Sequence, residues 1–265
     1  MLKFVKMHGT GNDFIMVSCL KKIIQNHSQL AKRVCDRHYG IGADGLIMIL
    51  PSAQADFRMR IFNSDGSEAE MCGNGIRCVG KFVYEKGLSN KTALSVETLA
   101  GIIPIWLTVK KGLVTQVKVN MGKPGRITNY PALAGSIINK KIRAIGVSMG
   151  NPHCVVFVEN VAAYPVALSG PLIEKHRFFP RKTNVEFVQV INRGKIKQRT
   201  WERGAGETLA CGTGASASVV AGVFTGRLGR KVKVILKGGT LEIEWAKDNC
   251  VYMTGPAVEV FSGAF

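Results

Sequence analysis

The alternation of apolar and polar positions predicts a chain built mostly of short strands. Leu2 to Val17 alternates on both sides of Gly9-Thr10-Gly11 and reads as strand, turn, strand. Gly45 to Leu50 and Phe57 to Phe62 are apolar, β-branched or aromatic runs with short breaks, as strands require. Residues 93 to 121 alternate in three stretches broken at Ala100-Gly101 and Lys111-Gly112, the pattern of consecutive hairpins. Helical spacing marks Gln29 to His38, through Leu30, Val34 and Cys35, and a run of about 74 to 86 closed by Gly87. From about 118 the pattern restarts. It predicts strands at 144–147 and 154–158, a helix near 168–176, and strands at 184–191 and 195–201. A helix running to about 225 and strands at 231–236, 240–245 and 250–260 complete it. Each half thus holds many strands and two helices, an α+β pattern in which a mostly antiparallel, barrel-like sheet wraps a central helix.

The two halves also share a register. Met71-Cys72-Gly73-Asn74-Gly75 and Ala210-Cys211-Gly212-Thr213-Gly214 each place a cysteine before Gly-x-Gly and a helix-forming run. The cysteines are 211 − 72 = 139 apart, and so are the closing glycines, 226 − 87 = 139. The same step carries Asn12 to Asn151, Phe62-Asn63 to Trp201-Glu202, Glu68 to Glu207 and Trp106 to Trp245. Matches at one offset over about a hundred residues indicate an internal duplication. The expected domains are 1–117 and 118–255, with 256–265 returning to the first, because the second repeat is complete by about 255. Related domains facing each other would bring both helix mouths to one cleft between them. Trp106 and Trp245 are expected in the core, and His8 in a structural role.

Composition narrows the class. Of 265 residues, 46% are apolar, ample for two cores. The longest weakly polar run, Ala215 to Thr225, is far short of the roughly 18 residues a membrane helix needs. The N-terminus has no apolar stretch of signal-peptide length, so the expectation is a cytoplasmic protein with no membrane partner. Seven irregularly spaced cysteines make a poor disulfide framework, and the absence of Cys-x-x-Cys or His-x-x-x-His gives no support to a metal site. Cys19, Cys35, Cys78, Cys154 and Cys250 read as small core residues. The net charge of +18 permits nucleic-acid contact. The basic residues are scattered, however, and no nucleic-acid motif accompanies them, so a lysine-rich surface without a nucleic-acid partner is expected.

The chemistry lies in the paired cysteines. A cysteine at a helix mouth meets the positive end of the macrodipole and unpaired N–H groups, which favour thiolate. The Gly-x-Gly after it strips side chains from the first turn and lets a carboxylate approach the amides. A single such site is most simply a buried cysteine beside a tight turn. Two, related by duplication, suit inversion of a stereocentre: one sulfur removes a proton and the other delivers one from the opposite face.

Asn63-Ser64-Asp65-Gly66-Ser67-Glu68-Ala69-Glu70-Met71-Cys72-Gly73-Asn74-Gly75-Ile76-Arg77 resembles the signature of the diaminopimelate epimerases. So do His8 to Phe14, Met149-Gly150-Asn151-Pro152-His153, and Glu202-Arg203-Gly204-Ala205-Gly206-Glu207-Thr208 through Cys211-Gly212-Thr213-Gly214. The likeness runs in order from residue 3 to about 258. It implies a cofactor-independent epimerase interconverting LL- and meso-diaminopimelate, with Cys72 and Cys211 as the acid/base thiols. It further implies that the amides of Gly73-Asn74 and Gly212-Thr213 cradle the α-carboxylate. Asn12, Asn63, Asn151, Asn184, Glu202 and Arg203 match positions that hold the amino groups and distal carboxylate, and Glu202 and His153 are further expected to tune the thiols. Gly45 departs from the pattern, since some members carry a substrate-binding glutamine there. The alternative is a related pyridoxal-free racemase or isomerase with another substrate. A homodimer is the expected assembly, although the sequence does not set it.

Overall fold

The computed structural model describes residues 1–21, 24–137 and 140–265. The chain divides into two compact units, Met1–Asn120 with Thr254–Phe265, and Met121–Met253. Together they form an α+β fold with four helices among the described residues.

In the first unit, β1 (Lys3–Gly9) and β2 (Asn12–Ser18) form a hairpin, and α1 (His27–Cys35) leads to β3 (Gly45–Leu50), which runs parallel to β2. Next come β4 (Phe57–Asn63), antiparallel to β3, and the short β5 (Glu68–Ala69) folded back on it. After α2 (Gly73–Glu85), the strands β6 (Ala93–Thr98), β7 (Gly101–Lys110) and β8 (Leu113–Asn120) form two successive hairpins. The helix α2 packs against β1, β2, β4, β7 and β8, so the sheet wraps it. Its residues 73 to 80 are all buried. The outer face of β2–β4 is covered by α1 through Ala31, Val34 and Cys35, which pack on Ile15, Leu46 and Met48.

The second unit repeats this order. It contains β9 (Ile127–Ile137), β10 (Lys140–Ser148), β11 (Pro152–Phe157), α3 (Val166–Glu174), β12 (Asn184–Asn192), β13 (Lys195–Glu202) and β14 (Gly206–Thr208). Then follow α4 (Gly212–Phe224), β15 (Lys231–Leu236), β16 (Gly239–Trp245) and β17 (Val251–Gly255), within which the second unit ends at Met253. The duplication holds residue by residue. The parallel pair Phe14–Gly45 has its counterpart in His153–Asn184, and the hairpin pair Phe62–Glu68 in Trp201–Glu207. Both central helices have 13 residues, and Gly73 + 139 = Gly212 begins the second. Each closes at a glycine in the left-handed region, Gly87 at φ 67° and Gly226 at φ 72°, where an L side chain would be strained. Wrapping α4 are β10, β11, β12 and β16, and α3 lies outside on β12, β13 and β14.

Several expectations need correction. The first helix ends at Cys35 rather than His38, because the Asp36 carboxylate accepts the N–H groups of His38 and Tyr39 in a turn. The single strand expected at 250–260 is two, β17 and β18 (Val258–Ala264), parted at Pro256. The second of these pairs antiparallel with β1 and returns the chain to the first unit. Strand β9 and the short β5 and β14 were not expected. Trp106 is exposed, facing Lys118, and Trp245 is only half-buried beneath Arg230, so neither is a core residue. Cys250 is also half-buried, whereas Cys19, Cys35, Cys78 and Cys154 are in the core. His8 accepts the Gly11 N–H through Nδ1 in the first hairpin turn.

Candidate active site

Cys72 and Cys211 are the N-caps of α2 and α4. Both have extended backbone, φ −136° and ψ 116° against φ −120° and ψ 113°, immediately before helix. In each case a β-hairpin (β4–β5 or β13–β14) delivers the chain to the helix mouth, so the repeated motif is a hairpin followed by a capped helix.

In the first unit, Gly75 N–H donates to Cys72 Sγ at 3.4 Å, and the thiol donates to Asn12 Oδ1 at 3.6 Å. Asn74 Nδ2 donates to the same Asn12 oxygen at 3.2 Å. The other end of the Asn12 amide is fixed, its Nδ2 donating to Asp44 Oδ2 at 2.8 Å. Asp44 is held by Arg37, which also forks onto Asp13, and Lys6 closes the network with Asp13 at 2.7 Å and with the Gly42 carbonyl. Asn63 stands at the end of β4, exposed, donating to Ser67 Oγ at 2.9 Å. Beneath the helix mouth, the fully buried Arg77 donates to Pro256 O, Gly73 O, Asn74 Oδ1 and Thr10 Oγ1 at 3.0–3.2 Å. Burial pulls its pKa down to about 10, so it stays a cation at neutral pH.

Burial alone would raise the Asp13 carboxyl, but Arg37 and Lys6 outweigh it and hold that carboxyl well below the usual carboxylate range. The resulting stability is present above the unfolded value, about 3.9, and is lost as pH falls through the lower folded one. Asp13→Asn is therefore expected to lower stability at pH 7 and to flatten the acid limb of unfolding below about pH 4. Circular dichroism across an acid titration measures it; a limb as steep as the parent's would remove Asp13 as its source.

The second unit surrounds its cysteine differently. Cys211 is 6% exposed, with Sγ 3.5 Å from Thr213 Oγ1. Burial pushes its thiol well above the ordinary range, and the carboxylates of Glu202 and Glu186 push the same way. Burial also raises the Glu202 carboxyl, opposed by the Thr208 hydroxyl, which donates to it at 2.5 Å. His153 Nε2 meets Asn151 Oδ1 at 2.9 Å, and Asn151 Nδ2 donates to Thr213 Oγ1 at 3.4 Å. Asn184 spans two loops, donating to Pro152 O at 3.1 Å and accepting the Arg203 N–H at 2.9 Å. The Arg203 side chain is exposed and donates to Arg181 O at 3.2 Å.

The structure thus joins Asn12, Cys72 and Asn74 in one cluster and Asn151, His153, Cys211 and Thr213 in another, with Glu202 beside the second. Gly73 and Gly212 begin the helices, where the first-turn N–H groups have no partner inside the helix. Gly45 lies in β3 against β4. A Cβ there would sit 2.8 Å from the Phe62 carbonyl oxygen, so a glutamine does not fit this strand as it stands. Sequence reasoning missed Asp44, Arg77 and Glu186. Each carried a signal: a charged residue within an apolar run. Among the described residues, no group of three or more histidine, cysteine or acidic side chains could hold a metal ion, and no helix is long and apolar enough to cross a membrane.

The sequence profile described as diaminopimelate epimerase matches residues 4–127 and 145–260. A diaminopimelate epimerase of Moorella thermoacetica is 56% identical, covering 100% of this chain and 99% of its own. One from Methanococcus maripaludis is 55% identical and covers 99% of each. Among solved structures, a phenazine biosynthesis protein of the PhzF family from Bacillus anthracis superposes with a TM-score of 0.76 at 18% identity, covering 100% of this chain and 99% of its own. A hydroxyproline epimerase from Agrobacterium vitis gives 0.75 at 16% identity, covering 99% and 91%. These two share the fold. The sequence matches cover the whole chain at more than half identity, and the chain belongs to the diaminopimelate epimerase family of isomerases.

Proposed function

We propose that the chain interconverts LL- and meso-2,6-diaminopimelate by a two-base mechanism that needs no pyridoxal phosphate or metal. The observation that carries the reading is the repeated cysteine cap: two thiols at equivalent positions, each heading a 13-residue helix that opens with Gly-x-Gly. One sulfur, as thiolate, takes the Cα proton, and the other, as thiol, donates its proton to the opposite face. Turnover leaves the two forms exchanged, ready for the reverse direction. The charge that builds on the α-carboxylate as the proton leaves is met by first-turn amides at Gly73-Asn74 and Gly212-Thr213 and by the helix dipoles.

Asn12, Asn63, Asn151, Asn184, Glu202 and Arg203 are assigned to the amino groups and the distal carboxylate. Acceptors, amides and one guanidinium match a diamino diacid. Glu202 and His153 also tune the thiols. The enzyme would serve lysine and peptidoglycan precursor synthesis in the cytoplasm, and a homodimer remains the expected assembly.

Proton exchange tests this. The reduced protein is incubated with LL-diaminopimelate in D2O, without added pyridoxal phosphate or metal, and Cα deuteration is followed with chiral analysis. Deuterium should appear together with the meso isomer, because the donating thiol has exchanged with solvent. No deuterium in folded protein with both thiols reduced would sink the assignment.

A further inference from the structure

The two helix mouths rest on different chemistry. Gly75 and Gly214 hold the same place in the first turns of α2 and α4, 139 residues apart. A Cβ on Gly75 would lie 2.7 Å from the Ile47 methyl; one on Gly214 would lie 2.5 Å from Glu186 Oε1. Ile47 and Glu186 are themselves 139 apart, as are Phe14 and His153. The first unit therefore presents a methyl and a phenyl ring where the second presents a carboxylate and an imidazole. Conversely, the buried cation Arg77 has Ser216 as its counterpart.

Glu186 is placed to act on Cys211. Its side chain is fully buried, and Oε1 meets His153 Nδ1 at 2.8 Å. From there a chain runs through His153 Nε2 to Asn151 Oδ1 (2.9 Å), Asn151 Nδ2 to Thr213 Oγ1 (3.4 Å) and Thr213 Oγ1 to Cys211 Sγ (3.5 Å). Its second oxygen is buried without a hydrogen-bond partner among the described residues. A dry, half-satisfied carboxylate costs stability, and an apolar residue of similar size would serve the fold better, as Ile47 does in the first unit. The titratable groups facing it are His153 and Cys154 from β11, Glu202 from β13 and Cys211 at the mouth of α4.

We propose that Glu186 is a positioning residue for Cys211: by its charge and through the His153–Asn151–Thr213 chain, it holds that sulfur oriented and protonated in the resting protein. Burial and the Glu202 carboxylate already disfavour the Cys211 thiolate, and the Glu186 charge adds to them. Cys211 is then the resting acid. The proposal rests on the two-thiol reading of the function, but its test needs no turnover, so the two can fail separately.

The reduced protein is alkylated with iodoacetamide over a range of pH, and the Cys211 peptide is quantified by mass spectrometry and normalised to its plateau. The midpoint, unlike the plateau rate, does not depend on how easily the reagent reaches the sulfur. In the parent protein the midpoint should lie above the ordinary thiol value of about 8.5. Glu186→Gln keeps the side-chain size and a partner for His153 but removes the charge. It should lower the Cys211 midpoint and raise labelling at pH 8 about five- to tenfold, leaving the Cys72 profile in place. Glu186→Asp, which keeps the charge, should retain the high midpoint. A parent midpoint at or below the ordinary value overturns the proposal, and so does an unmoved midpoint in a folded glutamine variant. Should that variant not fold, Glu186→Ile, which places there the residue type found at the equivalent position of the first unit, should lower the Cys211 midpoint in the same way, and an unmoved midpoint in it overturns the proposal.

Discussion

Serine in place of either Cys72 or Cys211 lowers kcat for epimerisation at least about a thousandfold and leaves the fold intact. The activity loss follows from acidity. Removing a proton from Cα requires a base that is ionised near neutral pH, and a general base or acid contributes about 10²- to 10⁴-fold. A serine hydroxyl has the shape of the thiol but does not ionise in that range, so it can neither take the proton nor return it efficiently. The fold survives because both cysteines are helix N-caps, where serine is among the preferred residues. At position 72, Oγ would accept the Gly75 N–H that Sγ now accepts at 3.4 Å. Melting temperatures of the two variants should stay within a few degrees of the parent while turnover disappears. Near-parental turnover by either one refutes the two-base reading. Loss of turnover with loss of fold would instead mean that the cysteines matter for packing.

Much of this arrangement was legible because its signals are local. A glycine that closes a helix, a cysteine that caps one and a hairpin turn between them are set by neighbours a few residues apart. Their recurrence at one offset therefore survives in the sequence, and the strand registers reproduce that offset, from Phe14–Gly45 to His153–Asn184. What was not legible depends on distant contacts. Strand β9 contains Pro131 and Gly135, which break its alternation, and it is a strand because β10 pairs with it. Trp106 reads as core by type, yet its place in β7 points it outward. The same holds at the site. The asparagines could be named because they lie within motifs, whereas Glu186 shows only as a charge in an apolar strand. That it sits beneath Gly214, two residues past the first residue of α4, is a tertiary fact. The motifs present the two thiols as equals, and the deeper burial and the carboxylates around Cys211 make them different.

Arg77→Met should cost about 3–5 kcal/mol of stability, because each buried group left short of a hydrogen bond costs about 1–3 kcal/mol. Methionine fills a similar volume but donates nothing. Four acceptors then each lose one hydrogen bond in a dry site: the Pro256 and Gly73 carbonyls, Asn74 Oδ1 and Thr10 Oγ1. These come from three separate stretches (the first hairpin turn, the mouth of α2 and the segment before β18), so one guanidinium ties the chain just ahead of the returning C-terminal strand to the mouth of α2. Lysine is not a substitute, because one ammonium cannot reproduce the planar fork that serves Nε, Nη1 and Nη2 partners at once. Space is also tight: a Cβ on Gly9 would lie 2.8 Å from Asn74 O and 2.9 Å from Arg77 Nη2, leaving little room for a displaced side chain. For a chain of this length the expected fall in Tm is about 10 °C. Urea and thermal unfolding followed by circular dichroism measure both quantities. A loss below about 1 kcal/mol would mean that these contacts are not what holds the helix mouth in place. Because Arg77 is also the buried cation below Cys72, the same variant should raise the alkylation midpoint of Cys72. A variant that loses stability but leaves that midpoint unmoved would confine Arg77 to architecture; movement of both would make it the counterpart, in the first unit, of the carboxylate beneath Cys211.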